Sequence, residues 1–196
     1  MSTSLMCLTF KEPLLQLRLK EEDISVWVIG IIFSMDTITY TLTSTVLNFV
    51  PETKKNFQKI VAAGTVFFLF GMLLTGPVPF LPNKVSVICV GILVGGIGGA
   101  LINNNCVPAL NQILEHQIKH YSQQQTNSLK NNLSAINTGA FGFGSILGPI
   151  LASILGSATN FAWSFTICAA LVLIVVVIQM MAVAKKSDDV ILRNDG

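Results

Sequence analysis

Two carboxylates sit where charge is expensive. Asp36 is the only charged residue between positions 24 and 51, with 12 uncharged residues before it and 15 after it. That puts it near the middle of a stretch long enough to cross a bilayer, where an ionised Asp costs ~2.5–3.5 kcal/mol on insertion scales. Such a residue faces inward, and is paired, protonated or in contact with water. Proton or cation transfer is the chemistry open to it, and structural pairing stands level with that reading. Thr37, Thr39, Tyr40, Thr41, Thr43, Ser44 and Thr45 follow as a hydroxyl-rich flank, and Asp36 can hydrogen-bond to Thr39 or Tyr40 on its own helix or to Asn103 or Asn137 on others. The second carboxylate, Glu12, lies between Lys11 and Pro13, where Lys11 and a helix end can solvate it.

Amides form the next constellation. Asn103, Asn104 and Asn105 follow one another inside a charge-free run and precede Pro108. Three consecutive amides cannot all face hydrocarbon, because each would carry unpaired donors and acceptors into it. Pro108 removes a backbone hydrogen bond and frees a carbonyl nearby. Asn131, Asn132, Ser134, Asn137 and Thr138 open another such run, which continues through Gly139, Gly142, Gly144 and Gly148 to Pro149. These polar groups can satisfy one another across two helices or hold a solute between them. The expected lining of a small-molecule site is therefore Glu12, Asp36, Tyr40, Asn103, Asn104, Asn137 and Thr138.

Other chemistry finds little support. His116 and His120 stand four apart and would share a helical face, as metal ligands do. No third ligand is evident, and a solvated loop is the preferred reading. Cys7, Cys89, Cys106 and Cys168 each lie in apolar sequence with no CxxC, and read as small buried hydrophobes. No disulfide, metal or cofactor is implied, and no nucleophile–base constellation points to an enzyme.

The elements that must position these residues are membrane helices. The chain is 52% hydrophobic and only 11% charged, with mean hydropathy +0.66; soluble domains carry roughly 25% charged residues. A soluble globular domain, a disordered tail and a nucleic-acid-binding module are excluded, and a net charge of +2 implies no polyanionic partner. A spanning helix needs about 20 apolar residues. Residues 60–83, 85–114 and 131–184 carry no charge, and the last run divides near Gly156–Asn160. The expectation is an all-α integral membrane protein with spans at 24–50, 57–81, 84–114, 128–155 and 159–184 and a tail over 185–196. Barrel strands alternate in polarity, and these runs do not. The segment 5–20 is not a signal peptide, since its positive charge follows the apolar stretch; it reads as the outer part of a sixth, truncated helix.

Gly91/Gly95 and Gly95/Gly99 are GxxxG pairs, which let helix backbones approach closely. With Gly144 and Gly148 they suggest that spans 84–114 and 128–155 pack together. The last span is nearly all Leu, Ile, Val, Ala and Met and reads as lipid-facing. Lys54, Lys55, Lys59, Lys119, Lys130, Lys185, Lys186 and Arg193 fall on one side, against Arg18, Lys20 and Lys84 on the other. The positive-inside rule places the first set, with the C-terminus, in the cytosol.

Several segments resemble one family. Phe10-Lys11-Glu12-Pro13-Leu14-Leu15-Gln16-Leu17-Arg18-Leu19 resembles the seventh helix of the vesicular amine and polyamine transporters of the major facilitator superfamily. Ser34-x5-Tyr40-x3-Ser44 is similar to their eighth helix, and Gly76-Pro77-Val78-Pro79 to the outer end of the ninth. Gly98-Gly99 through Pro108 resembles the tenth. Gly144-Ser-Ile-Leu-Gly148-Pro149-Ile-Leu-Ala152 is similar to the glycine–proline motif of the eleventh, and Asn160-Phe161-Ala162-Trp163 to the start of the twelfth.

The resemblance implies the C-terminal six-helix half of a twelve-helix carrier, beginning inside its seventh helix and working by alternating access around a mid-membrane site. Its implied partners are the lipid bilayer, a small organic solute, a coupled proton, and a missing N-terminal half or partner membrane subunit. Its implied location is a vesicle, vacuole or plasma membrane. Glu12 matches the family's acid in helix seven. Asn103 and Thr138 stand where the amine carriers have acids, and Pro51-Glu-Thr-Lys-Lys-Asn-Phe-Gln-Lys59 is a degraded form of their charged motif between helices eight and nine.

Two function classes remain. The first is a secondary carrier of a small organic solute, or a fragment of one. The second is a non-transporting membrane protein, a pseudo-transporter or accessory subunit whose glycine-rich faces meet partner helices. An ion channel ranks third, since the sequence shows no acidic ring or filter.

Overall fold

The computed structural model describes residues 2–49, 56–76, 84–117 and 123–194. It is all-helical there: α1 (Ser2–Glu21), α2 (Val26–Phe49), α3 (Phe57–Thr75), α4 (Val85–Gln117), α5 (Gln123–Ala158) and α6 (Phe161–Asn194). Residues 51–55 of the charged motif, Pro77–Pro79, Lys119 and His120 lie outside the described residues, and the side chain of His116 does too. The helices begin and end at physical signals. Asn56 caps α3, its side chain accepting from the Lys59 N–H at 3.4 Å. α5 begins as early as Gln123 and α6 continues to Asn194 because neither 123–127 nor 185–194 contains a Pro or Gly to stop a helix. Pro13, Pro108 and Pro149 lie inside helices, as membrane helices with packed neighbours tolerate.

Among the described residues, four helical segments are long and apolar enough to cross a membrane: Val26–Phe49, Phe57–Thr75, Val85–Gln112 and Thr126–Ala158. The described apolar stretch of α6 runs from Trp163 to Ile178. α1 carries Lys11, Glu12, Arg18, Lys20 and Glu21 along its length, so its place in the bundle rests on packing rather than on hydropathy.

That packing is extensive. Met6, Cys7, Phe10 and Leu14 of α1 are buried with Phe68 and Met72 of α3, Ile102 of α4, Ala152 of α5, and Phe165, Cys168, Ala169 and Val172 of α6. Leu15 and Leu19, further along α1, join Ile29 and Ile32 of α2 and Ile88 and Ile92 of α4 in a second cluster. α6 therefore has a buried face, while Leu173, Ile174, Val177 and Ile178 point outward. The reading of this span as lipid-facing holds for its outer face alone.

The glycines pair helices differently from the expectation. α4 does not pack on α5 through them. A Cβ on Gly71 of α3 would lie 2.5 Å from the Gly95 nitrogen and 2.6 Å from its Cα, so α3 and α4 meet backbone to backbone. Gly91 and Gly98 of α4 likewise abut Thr75 and Phe68 of α3. Gly148 of α5 instead receives α1 at Met6 and Thr9, and Gly156 receives Leu14. The GxxxG spacing marks close approach without naming the neighbour, and here each glycine face serves a different one.

Candidate functional site

The helices α1, α2 and α4 converge on Asp36. Its Oδ2 accepts from the Lys11 ammonium at 2.6 Å, and the lysine side chain is almost wholly buried. The stripe Cys7, Phe10, Lys11, Leu14, Leu15 follows helical spacing and is buried throughout, which carries Lys11 into the bundle. Glu12, one residue on, is rotated to the exposed side of α1 and does not join the cluster. The pairing of Lys11 with Glu12 considered above is therefore replaced by a pairing of Lys11 with Asp36. So are the Thr39, Tyr40, Asn103 and Asn137 partners that the sequence suggested for that carboxylate. Thr39 instead donates to the Met35 carbonyl at 2.8 Å.

Gly96 makes room for this carboxylate. A Cβ at Gly96 would lie 2.9 Å from the Asp36 carbonyl oxygen and 3.1 Å from Oδ1. Oδ1 is buried there with no hydrogen-bond partner. The second oxygen of the paired carboxylate is thus left as a free acceptor in the interhelical seam.

One turn along α2 the seam continues in neutral polar groups. The Tyr40 hydroxyl donates to Asn104 Oδ1 at 3.3 Å, and Asn104 Nδ2 donates to Ser44 Oγ at 2.6 Å. Asp36, Tyr40 and Ser44 are spaced by four, so they share one face of α2. Asn104 on α4 bridges two of them. Asn103 is half-buried, and its Oδ1 is a second orphaned acceptor. Asn105 is buried and donates to the Leu101 carbonyl on its own helix at 2.8 Å. Lys11, Asp36, Tyr40, Ser44 and Asn104 thus form one polar seam from three helices, closed at the buried Lys11 and open at the exposed Asn104.

α5 contributes differently. Asn137 is half-buried and Thr138 exposed, with the Thr138 hydroxyl donating to the Ser134 carbonyl at 3.0 Å. Asn131, Asn132 and Ser134 on the same helix are also exposed. Among the described residues, no hydrogen bond joins Glu12, Asn137 or Thr138 to Asp36, Tyr40 or Asn104. Among the described residues, no three His, Cys, Asp or Glu side chains are grouped to hold a metal. Lys11 and Ser44 are the members that sequence reasoning did not select. The signal for Lys11 was its helical stripe of apolar neighbours; the signal for Ser44 was its four-residue spacing from Tyr40.

The chemistry of the seam is that of a fixed charge pair with spare acceptors. It can accept a hydrogen-bond donor at Asp36 Oδ1 while the Lys11 ammonium occupies Oδ2. Compared with curated proteins and with solved structures, the chain matches none. A family model for the Major Facilitator Superfamily matches residues 3–191. That match covers nearly the whole chain and agrees with its all-helical, multi-pass membrane architecture. The chain belongs to the Major Facilitator Superfamily, whose members are transporters of small solutes.

Proposed function

We propose that the chain forms one wall of a secondary carrier that moves a small organic solute across the membrane by alternating access. The observation that carries this reading is the Lys11–Asp36 pair, continued by Tyr40, Asn104 and Ser44 in the seam of three helices. Ionisable residues inside a membrane bundle mark solute, ion or proton pathways. Sites in this fold lie near the midplane, between two helical halves that rock about them. Glu12, Asp36, Tyr40, Asn103, Asn104, Asn137 and Thr138 line the site in this reading, with Lys11 added. Thr138 and Asn131 on α5, and Thr37 and Thr41 on α2, are exposed polar groups in apolar helices. They favour a facing wall, supplied by a second six-helix half or a partner membrane subunit. The C-terminus faces the cytosol, and the membrane is that of a vesicle, a vacuole or the cell surface. The resemblance to the vesicular amine and polyamine transporters favours an amine solute exchanged for a proton, with Asp36 the proton-handling group.

The test is uptake. Protein extracted with any co-purifying subunit is reconstituted into liposomes with an acidic interior. Radiolabelled spermidine and serotonin are supplied outside, alongside neutral and anionic organic solutes. Accumulation of an amine above protein-free liposomes, abolished by a protonophore, is the expected result. Accumulation of a non-amine alone keeps the carrier and discards the amine branch. No accumulation of any solute overturns the carrier reading.

A further inference from the structure

No spacing or motif connects Cys7 with Cys168, yet their Sγ atoms lie 3.4 Å apart across the α1–α6 contact. Both side chains are buried, at 0% and 1% exposure. The register that brings them together is held by larger groups. Phe10 and Phe165, three residues after one cysteine and three before the other, meet edge to face with ring centroids 5.7 Å apart. The two helices run antiparallel through this contact, with Met6, Ala169 and Val172 closing around the sulfurs. Cys89 and Cys106 lie on α4 and are free cysteines.

We propose that Cys7 and Cys168 are an oxidisable thiol pair, closed to a disulfide by an apolar hydroperoxide of the kind an oxidised acyl chain provides. The sulfurs must approach from 3.4 Å to a bond of about 2.05 Å. That change is small enough for side-chain rotation and a slight approach of the helices. The reaction balances in two steps. One thiol gives up its proton and attacks the peroxide oxygen. The O–O bond breaks, the sulfur becomes a sulfenic acid, and the departing oxygen leaves as an alcohol with that proton. The second thiol attacks the sulfenic sulfur; the S–S bond forms, the S–O bond breaks, and water leaves. Two thiols are oxidised and one hydroperoxide is reduced to alcohol and water.

Burial selects the oxidant. Water-soluble thiol reagents react with exposed thiolates, and buried cysteines resist them. Both sulfurs are closed off inside the bundle, so an oxidant reaches them only when α1 and α6 part, and a neutral hydroperoxide dissolved in the bilayer enters that opening more readily than a water-soluble reagent. The product ties α1 to α6 one helical turn from Lys11, so the bond restrains the segment of α1 that carries the lysine of the charge pair.

The experiment treats the full chain in lipid vesicles with cumene hydroperoxide, and in parallel with hydrogen peroxide at equal concentration. The protein is then denatured and its free thiols are counted by maleimide-polyethylene glycol gel shift. The untreated chain has four cysteines; cumene hydroperoxide reduces the labelled thiols to two, faster than hydrogen peroxide does, and dithiothreitol restores all four. Peptide mapping recovers a Cys7–Cys168 linked peptide. C7A and C168A, each with three thiols, yield no linked peptide, and the thiol left without its partner goes no further than a sulfenic acid that dithiothreitol reverses. Four labelled thiols after treatment, a bond mapped to Cys89 or Cys106, accumulation of sulfinic acid, or equal rates with the two peroxides would each overturn the proposal.

Discussion

Removing the charge of Asp36 tests the interior pair by a double-mutant cycle. Lys11 Nζ sits 2.6 Å from Asp36 Oδ2, with side-chain exposures of 6% and 22%. Breaking a buried ion pair by deleting one partner costs about 3–5 kcal/mol, because the other charge is left uncompensated. Asp36→Asn strands the more buried member, so its cost falls at about 3 kcal/mol within that range. Lys11→Met leaves a carboxylate with some access to water and the option of taking a proton, so it costs less, about 2 kcal/mol. The double variant removes both charges, and its cost falls short of the sum of the singles by about 2 kcal/mol, as expected for residues in direct contact. Equilibrium unfolding in mixed micelles, followed by the fluorescence of Trp27 on α2 and Trp163 on α6, measures all three. An Asp36→Asn cost below about 0.5 kcal/mol, the scatter of ordinary surface changes, or strict additivity would refute the pairing.

Gly71→Ala places a methyl group against the backbone of Gly95, at 2.5 Å from its nitrogen, and destabilises by about 1–3 kcal/mol as an overpacked contact. Gly95→Ala meets only the Gly71 Cα at 4.0 Å and is close to neutral; equal effects in the same unfolding assay would contradict the α3–α4 packing. Cysteines introduced at Glu21 and Lys84 label with an impermeant maleimide from one side of the membrane, and one at Asn56 from the cytosolic side. Labelling of all three from the same side would overturn the arrangement of spans proposed for the chain.

The long charge-free runs made the helices legible, because a segment without charge over 20 or more residues has few stable alternatives in a bilayer. Asp36 was legible for the same reason, as the single exception in its run. Its partner was harder to see. Lys11 and Glu12 are adjacent in sequence, which suggests a local pair, but adjacent helical residues point about 100° apart. The buried stripe through Phe10 and Leu14 decides which of them turns inward. The hydroxyl-rich flank of α2 also suggested partners for Asp36, yet Thr39, Thr41 and Thr45 each donate to the carbonyl four residues earlier. Local back-bonding is available to such a side chain wherever it sits on a helix, so hydroxyl content alone does not define a site. The helix pairs were illegible because glycine spacing encodes closeness and not identity. The contact between Cys7 and Cys168 spans 161 positions, and no local pattern announces it.

The Lys11–Asp36 seam is proposed to lie on the path of a transported solute. Uptake by proteoliposomes containing wild-type or Asp36→Asn protein, at equal amounts of folded chain, tests it most directly. A fall of at least about tenfold, equivalent to roughly 1.4 kcal/mol at the barrier, with loss of the dependence on the imposed proton gradient, is expected. Wild-type uptake with an unchanged gradient dependence in Asp36→Asn would contradict it and leave the pair a purely structural brace between α1 and α2.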